Sequence, residues 1–120
     1  MSQRLRSFSF AWAGLRYLIA SEHNARIHLG ATVLVLVAAA GLGVDRIEFL
    51  LLLIAIGWVW FAEAVNTSIE RLADAVTLEH HPQLKLAKDL SAAAVLIGSI
   101  VAAAIGIVIF LPRVIDLLAL

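Results

Sequence analysis

Cysteine is absent from the 120 residues, so neither disulfide nor thiolate–metal chemistry is open to the chain. Charge is scarce and balanced: nine Lys and Arg against nine Asp and Glu, a formal net charge of zero. That balance argues against an electrostatic binder of nucleic acid. Proline occurs only twice, and no internal repeat, low-complexity tract or linker divides the chain, so a single domain is expected. Several catalytic signatures are also missing. There is no Gly-x-x-x-x-Gly-Lys-Ser/Thr loop, no Gly-x-Gly-x-x-Gly, no protein-kinase signature and no Gly-x-Ser-x-Gly. If the chain handles nucleotide, it does so with carboxylates and a lysine on helices. What is plentiful is apolar surface: 62% of residues are hydrophobic, against roughly half in soluble globular chains.

A helix needs about 20 predominantly apolar residues to cross a bilayer. Three segments qualify: residues 27–44, 47–69 and 90–111. A soluble bundle is excluded by size, because so small a chain has too little interior to hide three such helices. Neither long uncharged stretch reads as a cleavable signal peptide, since one lies mid-chain and the other C-terminal. Ahead of the spans, residues 7–20 read as an amphipathic surface helix, with Phe8, Trp12, Leu15 and Ile19 on one stripe. Gly41 to Asp45 reads as a tight turn, and Thr77 to Gln83 as a loop in which Pro82 ends any helix. The expected fold is therefore an all-α membrane protein, one surface helix plus three transmembrane helices. Arg4, Arg6, Arg16, Arg26, Arg71, Lys85 and Lys88 fall on one side of the membrane, with only Arg46 and Arg113 on the other. The positive-inside rule then puts the N-terminus and the 77–83 loop in the cytoplasm. A small-residue ridge, Ala94-Gly98-Ala102-Gly106, suits close helix packing in lipid. Three spans are too few to enclose a polar site, so a homo-oligomer is expected.

The polar groups that interrupt this apolar frame carry the functional signal. Glu63 follows the uncharged run Phe49 to Ala62 without a break, and a carboxylate at that depth costs several kcal/mol unless it is paired. Glu63, Asn66 and Glu70 stand at i, i+3 and i+7, within a narrow arc of one helix face, and Asp74 continues the stripe. Two carboxylates and an amide so aligned suit a hard divalent cation or a polyphosphate. Glu22 and Arg26, at i and i+4, read as a helix salt bridge. His28 reads as an interfacial or packed histidine, His80 and His81 as solvent-facing loop residues, and Lys88 by itself as a snorkelling lysine.

Taken together, Glu63-x-x-Asn66-x-x-x-Glu70-x-x-x-Asp74, Glu79-x-His81 and Ala87-Lys88-Asp89 resemble the prokaryotic integral-membrane lipid kinases, bacterial diacylglycerol kinase and its undecaprenol kinase relatives. Trp12-x-Gly14-Leu15-Arg16 and Glu22-x-x-x-Arg26 add to the resemblance upstream, so that it covers nearly the whole chain. It implies a homotrimer in the bacterial inner membrane that transfers the γ-phosphate of ATP, with Mg²⁺, to a lipid alcohol. By the same resemblance Glu63 is the catalytic base, and Glu22 and Glu70 hold the metal on the nucleotide. Asn66, Glu79, His81, Lys88 and Asp89 complete the ATP site, while Arg6 and Trp12 join Glu63 at the lipid substrate. Phe10 stands where an aromatic hydroxyl sometimes occurs in that family. The Glu22 to His28 stretch looks more like the undecaprenol-preferring branch. A different class, a small proton-coupled multidrug-type transporter, would explain Glu63 but leaves Asn66, Glu70 and Lys88-Asp89 without a role.

Overall fold

Four helices and the short joints between them make up the computed structural model, which describes residues 2–119. Helix α1 (Gln3–Ser21) starts four residues ahead of the expected Ser7, because Ser2 caps it: the Ser2 hydroxyl accepts from the Leu5 amide at 3.3 Å. Glu22, in extended conformation, is the whole joint to α2 (His23–Leu42). Helix α2 therefore begins before Ile27, and it stops short of Val44. There Gly43 turns left-handed at φ 65°, a conformation that only glycine adopts without strain.

Helix α3 (Arg46–Val76) opens on a reciprocal cap. The Asp45 carboxylate accepts from the Glu48 amide, and Glu48 accepts from the Asp45 amide, both at 2.9 Å. It runs seven residues past the expected Ile69, and its polar last turns are held by cross-helix pairs instead of by lipid. Helix α4 (Pro82–Leu118) overshoots the expected 90–111 at both ends and carries Pro112 within it. Pro82 opens this helix instead of breaking the chain. At the first helical position its missing N–H would have had no partner anyway, and His81 Nδ1 accepts from the Gln83 amide at 3.2 Å. The loop shrinks to residues 77–81.

Helices α2, α3 and α4 are each long and apolar enough to cross a membrane. Much of their apolar surface faces outward, Leu34, Ile54 and Val108 among it, as lipid contact requires. The closest packing joins α3 to the antiparallel α4. On α4 the buried Ser91, Gly98 and Ile109 lie seven and eleven residues apart, on one face, and buried residues on α3 recur in an alternation of three and four at Leu52, Ala55, Val59, Ala62 and Asn66. That period, 3.5 residues, is the seam of a left-handed coiled coil. Gly98 permits the approach: a Cβ there would lie 3.0 Å from Cδ1 of Trp58. The small-residue ridge thus meets α3 of its own chain at Gly98, while Ala94 is exposed and a Cβ at Gly106 would touch nothing within 4 Å. Ala39 of α2 joins Leu52 and Ile109 in the buried core. At that end of the bundle the Arg113 guanidinium grips the Glu48 carboxylate through two hydrogen bonds, of 2.9 and 2.6 Å.

Helix α1 touches the rest chiefly near its own C-terminus. Leu18 is its one buried residue, whereas Phe8 and Trp12 of the expected stripe are exposed.

Candidate active site

Glu63 is 2% exposed, the most deeply buried charged side chain among the described residues. Its Oε2 lies 3.3 Å from His28 Nε2 on α2, yet off the line of a hydrogen bond, so both atoms remain without a hydrogen-bond partner. One turn on, Asn66 is also buried, and its two amide atoms face different partners. Nδ2 points to Glu70 Oε1 at 3.5 Å, and Oδ1 accepts from the Ser91 hydroxyl of α4 at 2.8 Å. Two turns beyond Asn66, Asp74 takes Lys88 Nζ at 2.6 Å. The α3 stripe is thus shared between two neighbours: Glu63 faces α2, Asn66 and Asp74 meet α4, and Glu70 meets Asn66 on its own helix.

The rest of the expected site is distributed around this ladder. Glu22 does not pair with Arg26. It takes Arg71 of α3 at 2.6 Å, while Arg26 donates to the Ala20 carbonyl at 3.3 Å. The reason is local: Glu22 is the extended joint, off the helix on which an i, i+4 pair would form. Arg71 also lies over the Tyr17 ring, 5.5 Å from its centre, so this pair ties the end of α1 to α3. Glu79 and His81 line a cavity of about 220 Å³ under the α3–α4 loop, together with Asp74, Lys85 and Lys88. Asp89 turns aside to Lys85 at 2.6 Å, so adjacent Lys88 and Asp89 serve different partners. Arg6 and Trp12 are exposed on α1 with no hydrogen bond or ion pair to the stripe.

No three His, Asp or Glu side chains gather closely enough to hold a metal among the described residues. An all-protein metal cage is thereby excluded for them. A Mg²⁺ ion carried on phosphates asks less, since one or two carboxylates suffice. Glu70 fits that demand, because among the described residues its carboxylate has no hydrogen bond other than the long one from Asn66.

Three residues beside the candidate site were given no role in it by the sequence, although Ser91 opens the Ser91-Ala92-Ala93-Ala94-Val95 run that follows Lys88-Asp89 in the family resemblance. Ser91 follows Lys88 by three residues, which places both on one helix face, but nothing in sequence says that Asn66 stands opposite. Arg71 counted only as a basic residue on the cytoplasmic side. His28 read as packing, and it does pack: its ring stands edge-on to Trp60, 6.4 Å between centres. Among the described residues it is also the one that forms an ion-pair contact with the Glu63 carboxylate.

This chain matches the family model of prokaryotic diacylglycerol kinase over residues 9–110. It is 33% identical to the undecaprenol kinase of Bacillus subtilis (strain 168) over 113 residues, 94% of this chain and 92% of that one. It is 36% identical over 115 residues to a diacylglycerol kinase of Synechocystis, 95% of this chain and 66% of the relative. The diacylglycerol kinase of Escherichia coli (strain K12) is likewise 36% identical, over 98 residues, 82% of this chain and 80% of that protein.

Proposed function

The chain belongs to the prokaryotic diacylglycerol kinase family, and from that premise we propose that it transfers the γ-phosphate of ATP to the hydroxyl of a membrane lipid alcohol, at the cytoplasmic face of the bacterial inner membrane. The observation that carries the reading is Glu63: a carboxylate buried at the inner end of an apolar span, without a hydrogen-bond partner and on one face with Asn66 and Glu70.

In the proposed reaction the lipid hydroxyl gives its proton to Glu63, and its oxygen bonds the γ-phosphorus. The bond from that phosphorus to the bridging oxygen breaks, and ADP leaves. Phosphoryl transfer needs positioning and charge neutralisation more than covalent help, and the polar ladder supplies both. Lys88 brings a cation to the phosphates, and the Asn66 amide donates to phosphate. Glu79 and His81 border the nucleotide in the cavity they line, with Asp89 beside it. Glu70 and Glu22 would hold Mg²⁺, which when bound neutralises phosphate charge and aligns the nucleotide. Glu22 exchanges its contact with Arg71 for that role. Arg6 and Trp12 of α1, lying as a surface helix in the membrane interface, meet the lipid substrate. Three subunits complete the site, because three helices leave its nucleotide side, including Glu79 and His81, exposed.

Undecaprenol is the acceptor we put first, since the undecaprenol kinase relative is matched over nearly the whole of both chains; diacylglycerol comes second. The transporter reading has no support from the family match. Purified protein with labelled ATP, Mg²⁺ and a panel of lipid alcohols, resolved by thin-layer chromatography, tests the proposal. A labelled lipid phosphate is expected from wild type. Glu63→Gln, unable to take the proton, is expected to lose roughly 10²-fold in kcat with little change in ATP affinity. Should no lipid alcohol be phosphorylated, the reading fails. If Glu63→Gln keeps near-normal kcat, Glu63 is not the base.

A further inference from the structure

One hydrogen bond between side chains crosses from α2 to α3 beside His28. The Thr32 hydroxyl donates to the His28 carbonyl at 2.7 Å and accepts from the Trp60 indole at 3.0 Å. That latch fixes the Trp60 ring, which stands edge-on to the imidazole at an interplanar angle of 64°. On its remaining side His28 borders an apolar cavity of about 290 Å³ between α2, α3 and α4. Its polar lining beyond His28 is Thr32, already engaged in the latch, and Ser99. The Nε2 atom is buried and meets only one acceptor, Oε2 of Glu63 at 3.3 Å.

Glu63 is equally short of alternatives. Three cations at that end of the bundle are bound elsewhere: Lys88 to Asp74, Arg71 to Glu22, and Lys85 to Asp89. Glu70 on the same helix repels a second carboxylate charge, and Arg26 on α2 is turned to the Ala20 carbonyl. A buried carboxylate needs a donor, and a nitrogen facing one carries the proton.

From this geometry we propose that His28 is a positioning residue for the phosphoryl transfer: its Nε2–H holds the Glu63 carboxylate oriented toward the lipid hydroxyl. The arrangement is that of a base oriented by a third group, in which the orienting residue never touches substrate. The 3.3 Å separation without alignment is the resting form of a contact that tightens when substrate is bound. This proposal rests on Glu63 being the general base, so both residues are varied together.

His28→Ala is expected to lower kcat at least tenfold while leaving the ATP KM within about twofold, because the contact its ring makes is to Glu63, the proposed base. His28→Gln sets an amide nitrogen near the place of Nε2, and it is expected to recover most of that loss. In a Glu63→Gln background the change His28→Ala is expected to cost less than twofold more, since a residue acting through Glu63 has nothing left to orient. Binding of a non-hydrolysable ATP analogue to each variant checks that the fold persists. If His28→Ala keeps wild-type kcat, or His28→Gln is no better than His28→Ala, or the two losses multiply in the double variant, the positioning role is refuted. A Glu63→Gln enzyme that retains kcat refutes the base assignment, and the positioning role with it.

Discussion

Replacing Ser91 by Ala removes one hydroxyl from the α3–α4 seam and isolates what the Asn66–Ser91 bond contributes. The direction of that bond follows from its surroundings. Glu70 needs a donor, so Asn66 turns Nδ2 toward it and Oδ1 toward α4. The Ser91 proton then goes to Oδ1 at 2.8 Å, the alternative acceptor being the Lys88 carbonyl at 2.9 Å, which already serves its own helix. Both residues are buried, Ser91 at 6% and Asn66 at 7% exposure, so water does not replace the lost donor. A stranded buried acceptor costs about 1–3 kcal/mol in soluble proteins, whereas hydrogen bonds between membrane helices couple by about 0.6 kcal/mol on average and about 1.7 at most. The membrane figure governs here, because the unfolded chain in lipid also finds partners. The expected loss is about 1 kcal/mol, close to fivefold on the folding equilibrium, with a fall in kcat of similar size as the Asn66 amide loses its fixed direction. Reversible unfolding in mixed micelles measures the first, and lipid phosphorylation the second. A cycle with Asn66→Ala decides the cause. If the two losses add, or Ser91→Ala matches wild type in both assays, the bond does not orient Asn66.

Three further outcomes are expected. Glu70→Gln should depress turnover by at least an order of magnitude, about 1.4 kcal/mol in barrier, and recover in part at high Mg²⁺; wild-type activity across a Mg²⁺ titration would show that Glu70 is no metal ligand. Lys88→Ala should raise the ATP KM, lower kcat, or both, whereas Asp74→Asn, which releases the lysine from its partner, should leave ATP binding intact. Normal ATP kinetics in Lys88→Ala would reduce the residue to a structural cation. Gly98→Leu should force α4 off Trp58 within a single subunit, since a Cβ alone already reaches 3.0 Å. Destabilisation in micelles should accompany any loss of cross-linked oligomer, and a stable fold with an unchanged ladder would contradict the packing.

The spans were legible because hydrocarbon makes one blunt demand, a run of apolar residues. Their ends were not, because the ends answer to partners that no hydropathy window contains. Ser2, Asp45 and His81 cap helices from outside the apolar runs, and the polar last turns of α3 persist because the α1–α2 joint and α4 bring Arg71 and Asp74 their counter-charges. The acidic stripe could be read from helical spacing, since i, i+3 and i+7 share a face in any helix. Which residue stands across from each member could not. Arg26 was the local partner for Glu22, and Arg71, 49 residues away in sequence, took the place, because an extended joint removes the local geometry. His28 and Ser91 entered the site the same way, through the heights at which α2 and α4 pass α3.

The α3–α4 seam carries an ambiguity that its polar rungs remove. Any heptad pattern invites a slip of one repeat, about 10.5 Å along the helix, after which small and aliphatic side chains would interlock nearly as well. One such slip would bring Lys88 level with Thr67 and Ser91 level with Val59. It would strip Asp74 and Glu48 of their cations and bury an amide without a donor. Charges at the two ends and an amide between them thus encode a single alignment, which the oil in between leaves undecided.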